Sequence, residues 1–254
     1  MSDQTTGTLT RVDILNIHSI ETFGTCDGPG IRLVVFLQGC QFQCLYCANP
    51  DTMRSEDGKP CETSHIVETA ENMRSFFANG GGVTLSGGEP CRQARKLIPL
   101  LRELRARGIH TCLDTNGYVM NKYVEEMLEY IDLVLLDVKH IDPVIHKRIT
   151  GRSNANTMAF AHYLEEQHKP FWLRYVLVPG LTDNPEHLHR LGLHFQSFKQ
   201  VQKLEIQPYH RLGVYKWEKL GMKYALENTP ENTSEQLTAA KELFEQYLPE
   251  VVVN

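Results

Sequence analysis

"IRLVVFLQGCQFQCLYCAN", residues 31–49, joins an apolar run that reads as a strand to a loop carrying Cys40, Cys44 and Cys47. Spacers of three and two residues keep the three sulfurs within one short loop able to wrap a compact group. Thiolates select soft metals, chiefly zinc or iron–sulfur clusters, because hard cations prefer oxygen. Three thiolates are one too few for a closed tetrahedral site. Structural zinc usually draws its ligands as two pairs, and no second pair is present in the sequence. A four-iron cluster held by three cysteines would leave one iron open to an outside ligand. The competing readings are a zinc-stabilised binding module and unliganded thiols that lie close together by chance.

Working outward, five further apolar or β-branched runs read as strands: "GVTLS" (82–86), "IHTCLD" (109–114), "LVLLDVK" (133–139), "FWLRYVLV" (171–178) and "KLEIQ" (203–207). Helical patterns separate them. Residues 64–78 place Ile66, Val67, Ala70, Met73 and Phe77 on one face, with Thr63 or Ser64 as N-cap. Residues 121–131 repeat the pattern with Tyr123, Val124, Met127, Leu128 and Ile131. Residues 92–107 are helical in pattern, with Pro99 expected to bend the helix or mark a late start, and later helices are expected near 154–168, 185–198 and 233–248. The segment "RSEDGKPCET" (54–63) is the most polar connection. Strand–helix alternation implies parallel strands with helical crossovers. Six units without a nucleotide-binding glycine fingerprint point to an α/β fold, a partial (β/α)6 parallel barrel. Chemistry in such barrels sits at the strand C-terminal ends.

A chain of 254 residues with 41% hydrophobic content is expected to form one domain over residues 1–254, with residues 1–10 a flexible N-terminus. Net charge −5 offers no electrostatic footprint for nucleic acid or anionic membrane. The polar start lacks a secretory h-region, and no stretch approaches the roughly 18 apolar residues of a bilayer span. A cytoplasmic protein is expected. Seven cysteines, an odd count, argue for free thiols or metal ligands rather than disulfides. Cys26, Cys61, Cys91 and Cys112, scattered singly, read as small buried hydrophobes.

The strand ends carry the polar residues. Gly87 and Gly88, before Glu89, let backbone approach a ligand without a Cβ in the way, or form an ordinary turn. Asp137 and Lys139 share one strand face while Val134, Leu136 and Val138 take the other. Asp114 is either a helix cap or a site carboxylate, with Thr115 beside it. Arg174 lies among apolar neighbours expected to be core and reads as an ion-pair partner. His210 reads as a surface histidine. His162, His187 and His189 read as solvated helix residues. "GTCDGPG" (24–30) reads as a plain turn or as a rim element of the barrel mouth.

C-x-x-x-C-x-x-C after a first barrel strand resembles the signature of the radical S-adenosylmethionine (SAM) enzymes. The resemblance extends along the chain through "GTCDGPGIR" (24–32), "CLYCAN" (44–49), "VTLSGGEP" (83–90), "HTCLDTNGY" (110–118), "LLDVKH" (135–140), "RYVLVPG" (174–180) and "QPYHRLG" (207–213). Together these resemble the activases of glycyl radical enzymes, of the pyruvate formate-lyase type. The resemblance implies one [4Fe–4S] cluster on Cys40, Cys44 and Cys47, its open iron chelated by the SAM amino and carboxylate groups. It also implies SAM contacts from Tyr46, Gly87, Gly88, Glu89, Asp114, Asp137, Lys139, Arg174 and His210, and a monovalent cation, Na+ or K+, held by Asp114, Thr115 and Asp137.

The activity it implies is reductive cleavage of SAM to methionine and a 5′-deoxyadenosyl radical, which takes a Cα hydrogen from a glycine in the radical loop of pyruvate formate-lyase. Flavodoxin or ferredoxin is the implied reductant, and the activase is expected to be a monomer. Activases of several other glycyl radical enzymes carry an inserted ferredoxin-like segment rich in cysteine, whereas residues 48–81 hold only Cys61. The alternatives are activation of a different glycyl radical enzyme and radical chemistry on a small molecule.

Overall fold

The computed structural model describes residues 14–254; the expected flexible segment 1–10 lies outside them. All six expected parallel strands are present: β2 (Arg32–Leu37), β4 (Gly82–Gly87), β5 (His110–Thr115), β6 (Leu133–Asp137), β7 (Phe171–Leu177) and β8 (Val201–Pro208). Each pairs in parallel with the next, in sequence order. Three strands were not expected. β1 (Ile14–Gly24) runs antiparallel to β2, and β3 (Lys59–Glu62) antiparallel to β1. β9 (Val251–Val253) continues the parallel set beyond β8. The nine-stranded order is β3-β1-β2-β4-β5-β6-β7-β8-β9, and the edges β3 and β9 leave the sheet open. The parallel part is therefore a partial barrel.

Alternation sorts the side chains. Leu33, Val35, Leu85, Leu113, Val134, Leu136, Leu173 and Leu204 point outward into the main core beneath the helices. Fully burying such an aliphatic side chain contributes roughly 1.5–3 kcal/mol relative to exposure. The opposite parity carries Thr84, Ser86, Asp114, Asp137, Arg174 and Glu205 beside a small apolar cluster of Cys112, Leu133 and Leu135, so polar groups reach the barrel interior.

The covering helices are α1 (Thr63–Asn72), α2 (Ala94–Ala106), α3 (Lys122–Leu128), α4 (Pro143–Thr150), α5 (Ala155–Glu166), α6 (Pro185–Phe195), α7 (Val214–Lys219) and α8 (Ser234–Phe244). Asn121, Asp142 and Asn184 each accept two backbone N–H bonds at a helix start, and Thr233 forms a capping box with Gln236. Some expectations need correction. The N-cap of α1 is Glu62, and the helix ends at Asn72; a separate 3₁₀ turn, Arg74–Phe76, carries the chain on to Phe77. A short 3₁₀ turn, Pro90–Gln93, precedes α2, which passes through Pro99. The polar connection 54–63 is partly β3, where Cys61 is buried.

The glycine-rich segment after β1 does not border the mouth. Gly24 pairs with Arg32 at the N-terminal end of β2, so residues 25–31 lie across the barrel floor. Arg32, fully buried, donates to Thr84 Oγ1 and to the carbonyls of Pro29, Gly80 and Val83. Thr84 in turn donates to the Asp27 carbonyl. A Cβ on Gly28 would stand 3.0 Å from Cys112 Sγ and 3.1 Å from Arg32 Cδ. The floor is packed shut beneath β2, β4 and β5.

Candidate active site

The cysteine loop leaves β2 at the C-terminal end of the barrel and is anchored on three sides. Gly39 and Cys40 donate backbone N–H bonds to the carbonyls of Thr52 and Met53 at 2.7 and 3.0 Å. Gln43 and Leu45 donate to the carbonyls of Thr150 and Ile149 at the end of α4, at 2.9 and 3.0 Å. Trp217 on α7 donates its indole N–H to the Cys47 carbonyl at 3.0 Å. α4 and α7 were not expected, yet both fix this loop.

Cys40, Cys44 and Cys47 line a small cavity of about 90 Å³ together with Gly87, Gly88, Asp114, Thr115, Asn116, Asp137 and Lys139. It adjoins a larger one of about 420 Å³, which Tyr46, Ser86, Arg174 and His210 also line. Larger grooves of about 600 and 870 Å³ lie outside the barrel, one between α1 and α2 and one between the loop after β5 and α5. Burial pushes the Cys40 thiol up to about 12 and raises Cys44 and Cys47 as well. Thiols this costly to ionise alone need a metal's positive charge to become ligands. Among the described residues no three His, Cys, Asp or Glu converge on a single-ion site. One zinc needs every sulfur about 2.3 Å from a common point, whereas a cubane is held from its corners, so the donor set suits a cluster.

Gly87 has φ +105°, and a Cβ there would stand 2.4 Å from Leu37 N. A Cβ on Gly88 would stand 2.6 Å from Gly39 O, so the pair of glycines serves first to bring the end of β4 against β2 and the cysteine loop, and second to wall the cavity. Glu89 is corrected. It is fully buried, and its carboxylate accepts from Cys91 N at 3.0 Å, Thr115 Oγ1 at 2.6 Å and Asn116 N at 2.9 Å. It is a bracket behind the site, its carboxylate engaged by the protein's own donors. Thr115 lines the small cavity, and its hydroxyl donates to Glu89 and accepts from Gly117 N at 3.0 Å.

Asp114 and Asp137 do meet in the cavity. Asp114 Oδ2 accepts from Ser86 at 2.6 Å and faces Arg174 at 3.4 Å, while Oδ1 is buried without a partner. Lys139 pairs with Asp137 at 2.7 Å. Burial would lower the Lys139 ammonium, but Asp137 and Cys44 outweigh it and hold the pKa above its ordinary value. Arg174 also pairs with Glu205 at 3.0 Å and donates to the Cys26 carbonyl. It reaches the site chiefly through Asp114. Tyr46 is buried with its hydroxyl unpartnered, and His210 accepts from Leu212 N at 3.3 Å at the rim.

Cys61, Cys91 and Cys112 are buried as expected, whereas Cys26 is exposed and lines the larger cavity. His187 is half-buried: its ring meets that of His140 edge-on at 4.8 Å and its Nδ1 is buried. His162 packs on Phe198 at 5.0 Å, and His189 bonds Tyr247. Ser86, Glu205 and Asn116 were missed. Asn116 sits inside "HTCLDTNGY", but an asparagine after a strand reads as a turn residue, and its contacts come from distant segments.

The sequence profile of the Radical SAM superfamily matches residues 34–192. The pyruvate formate-lyase-activating enzyme of Staphylococcus epidermidis is 44% identical over 221 residues, 84% of this chain and 88% of that protein. That of Staphylococcus aureus is 44% identical over 233 residues, 89% and 93% of the two chains. The chain belongs to the radical SAM superfamily, among its pyruvate formate-lyase-activating enzymes. Solved radical SAM structures share the fold. Streptococcus suis SuiB bound to precursor peptide SuiA superposes with TM-score 0.67 at 19% identity, over 88% of this chain and 48% of that one. A domain of pyruvate-formate lyase-activating enzyme from Bacteroides vulgatus gives 0.59 at 21%, over 69% and 99%. A radical SAM protein works with SAM and a [4Fe–4S] cluster, and the buried thiols beside an unpartnered carboxylate oxygen fit that pair. Among the described residues no helix is long and apolar enough to cross a membrane.

Proposed function

We propose that this chain, as a single cytoplasmic radical SAM domain and a monomer, activates pyruvate formate-lyase by installing a radical on a glycine of that enzyme. Cys40, Cys44 and Cys47 hold the cluster, leaving one iron for the methionyl end of SAM. When bound, the cluster and SAM supply a 5′-deoxyadenosyl radical, a species able to take a hydrogen atom from a glycine Cα. A flavodoxin or ferredoxin supplies the electron.

The chain's own residues bind, orient and shield. Gly87 and Gly88 bring the backbone of β4 alongside the cysteine loop, where its polar groups meet the amino acid end of SAM. Lys139, kept cationic by Asp137, orients the nucleoside side. Tyr46 walls the cavity with its ring and offers its free hydroxyl. Arg174 holds Asp114 in place, and the bare Oδ1 of Asp114 with Asp137 gives a Na+ or K+ ion its carboxylate ligands. His210 closes the rim from the loop after β8.

The observation that carries this reading is the meeting of one buried and two half-buried thiols with a polar strand-end cavity. The test is anaerobic incubation of the reconstituted protein with SAM, reductant and pyruvate formate-lyase, followed by electron paramagnetic resonance. A glycyl radical on the partner is expected; SAM cleavage with no protein radical would favour a small-molecule substrate. Cys40→Ala, Cys44→Ala or Cys47→Ala is expected to abolish SAM cleavage, with Cys61→Ala near wild type. Turnover retained in any of the first three would remove the ligand assignment.

A further inference from the structure

The side chain of Asn116 is held in one orientation by its surroundings. Its Oδ1 accepts from Gln41 Nε2 at 2.8 Å and from the Tyr118 backbone N–H at 3.1 Å. Exchanging the amide oxygen and nitrogen would set the NH₂ group against the Tyr118 backbone N–H, a donor that cannot turn away, so that bond fixes the orientation. The Nδ2 group is thereby turned toward Cys40 Sγ, 3.8 Å away. The backbone is clamped too. Asn116 N donates to the buried Glu89 carboxylate at 2.9 Å, and Asn116 O accepts from Thr157 Oγ1 at 2.7 Å. The residue is 6% exposed, so water does not compete for these bonds. Cys40 Sγ receives a second N–H from the Phe42 backbone at 3.4 Å.

From this geometry we infer that Asn116 is a positioning residue that sets the reduction potential of the cluster by donating a hydrogen bond to the Cys40 ligand sulfur. The inference rests on the reading that Cys40 ligates the cluster. Hydrogen bonds to ligand sulfurs stabilise the more negative, reduced cluster and so raise its potential. Asn116 stands between the buried Glu89 carboxylate and the sulfur, donating its backbone N–H to the one and its side-chain amide to the other. With the donor in place a one-electron carrier fills the cluster more readily; without it the cluster reduces less readily and becomes a stronger reductant once filled.

The experiment is a redox titration of the anaerobically prepared holoprotein, monitored by the paramagnetic signal of the reduced cluster. Asn116→Leu removes the donor at similar volume, and Asn116→Asp replaces it with an acceptor. Both are expected to titrate at more negative potential than wild type. Gln41→Leu, which frees one anchor of the amide, is expected to shift in the same direction and by less. A merely structural role would lower iron content without moving the potential. Variants that hold wild-type iron and titrate at the wild-type potential would overturn the inference. Wild-type protein labelled with ¹⁵N only at asparagine side-chain amides gives a second reading. Pulsed resonance on its reduced cluster is expected to show a ¹⁵N coupling, and the absence of that coupling overturns the inference even if no variant holds a cluster. A wild type that takes up no cluster, or whose signal ignores SAM, sinks the functional reading itself.

Discussion

Asp114 carries a charge that its surroundings resist. Burial raises its carboxyl, Arg174 pulls it back, Asp137 raises it again, and the balance stands at about 6. An unfolded aspartate titrates near 3.9. Between roughly pH 4 and 6 the native state therefore binds more protons than the unfolded one, and stability falls as pH rises through that window. Above it the ionised carboxylate costs on the order of 1–3 kcal/mol. Asp114→Asn is accordingly expected to raise the melting temperature of the cluster-free protein by a few degrees at about pH 8, with no gain at or below about pH 4. A lower melting temperature for the variant at the higher pH would show that the ionised group is not under strain. The site was partly legible at this scale. Cysteine spacing and the parity of Asp137 and Lys139 are local properties, and both lead to the cavity. Glu89 misled, because whether a carboxylate after Gly-Gly turns outward or inward depends on Thr115, Asn116 and Cys91, and only folding brings Thr115 and Asn116 to it.

Among the elements, the turn between β1 and β2 depends on one side chain. Arg32 ties Pro29, Gly80 and Val83 together, and removing it leaves these carbonyls without that donor. Each buried unsatisfied group costs about 1–3 kcal/mol, so Arg32→Met is expected to destabilise the protein by roughly 3 kcal/mol or more, measured by denaturant unfolding. A loss below about 1 kcal/mol would mean that other donors replace it. The six parallel strands were readable because consecutive apolar residues need no partner to be recognised. β3 was not, since "KPCE" contains Pro60 and becomes a strand only by pairing with β1. α4 and α7 are short, 8 and 6 residues, and give too few turns for a periodic signal. Their role lies in the carbonyls and the indole they hold out to the cysteine loop.

On the scale of the whole molecule, the cysteine loop touches β2, the Thr52–Met53 segment, α4 and α7, so a group bound there braces distant parts of the chain at once. Binding free energy for the folded state is folding free energy. Reconstituted protein is therefore expected to melt at a higher temperature than its cluster-free form under anaerobic conditions. Cys44→Ser is expected to lose most of that increment. Coincident melting of the two wild-type forms would separate the thiols from any bound group. The packed floor has a consequence of its own. In a vessel stoppered beneath β2, β4 and β5 the chamber lies nearest the lip, so a visiting polypeptide seated across that lip would help to dry it and shelter whatever short-lived species forms inside.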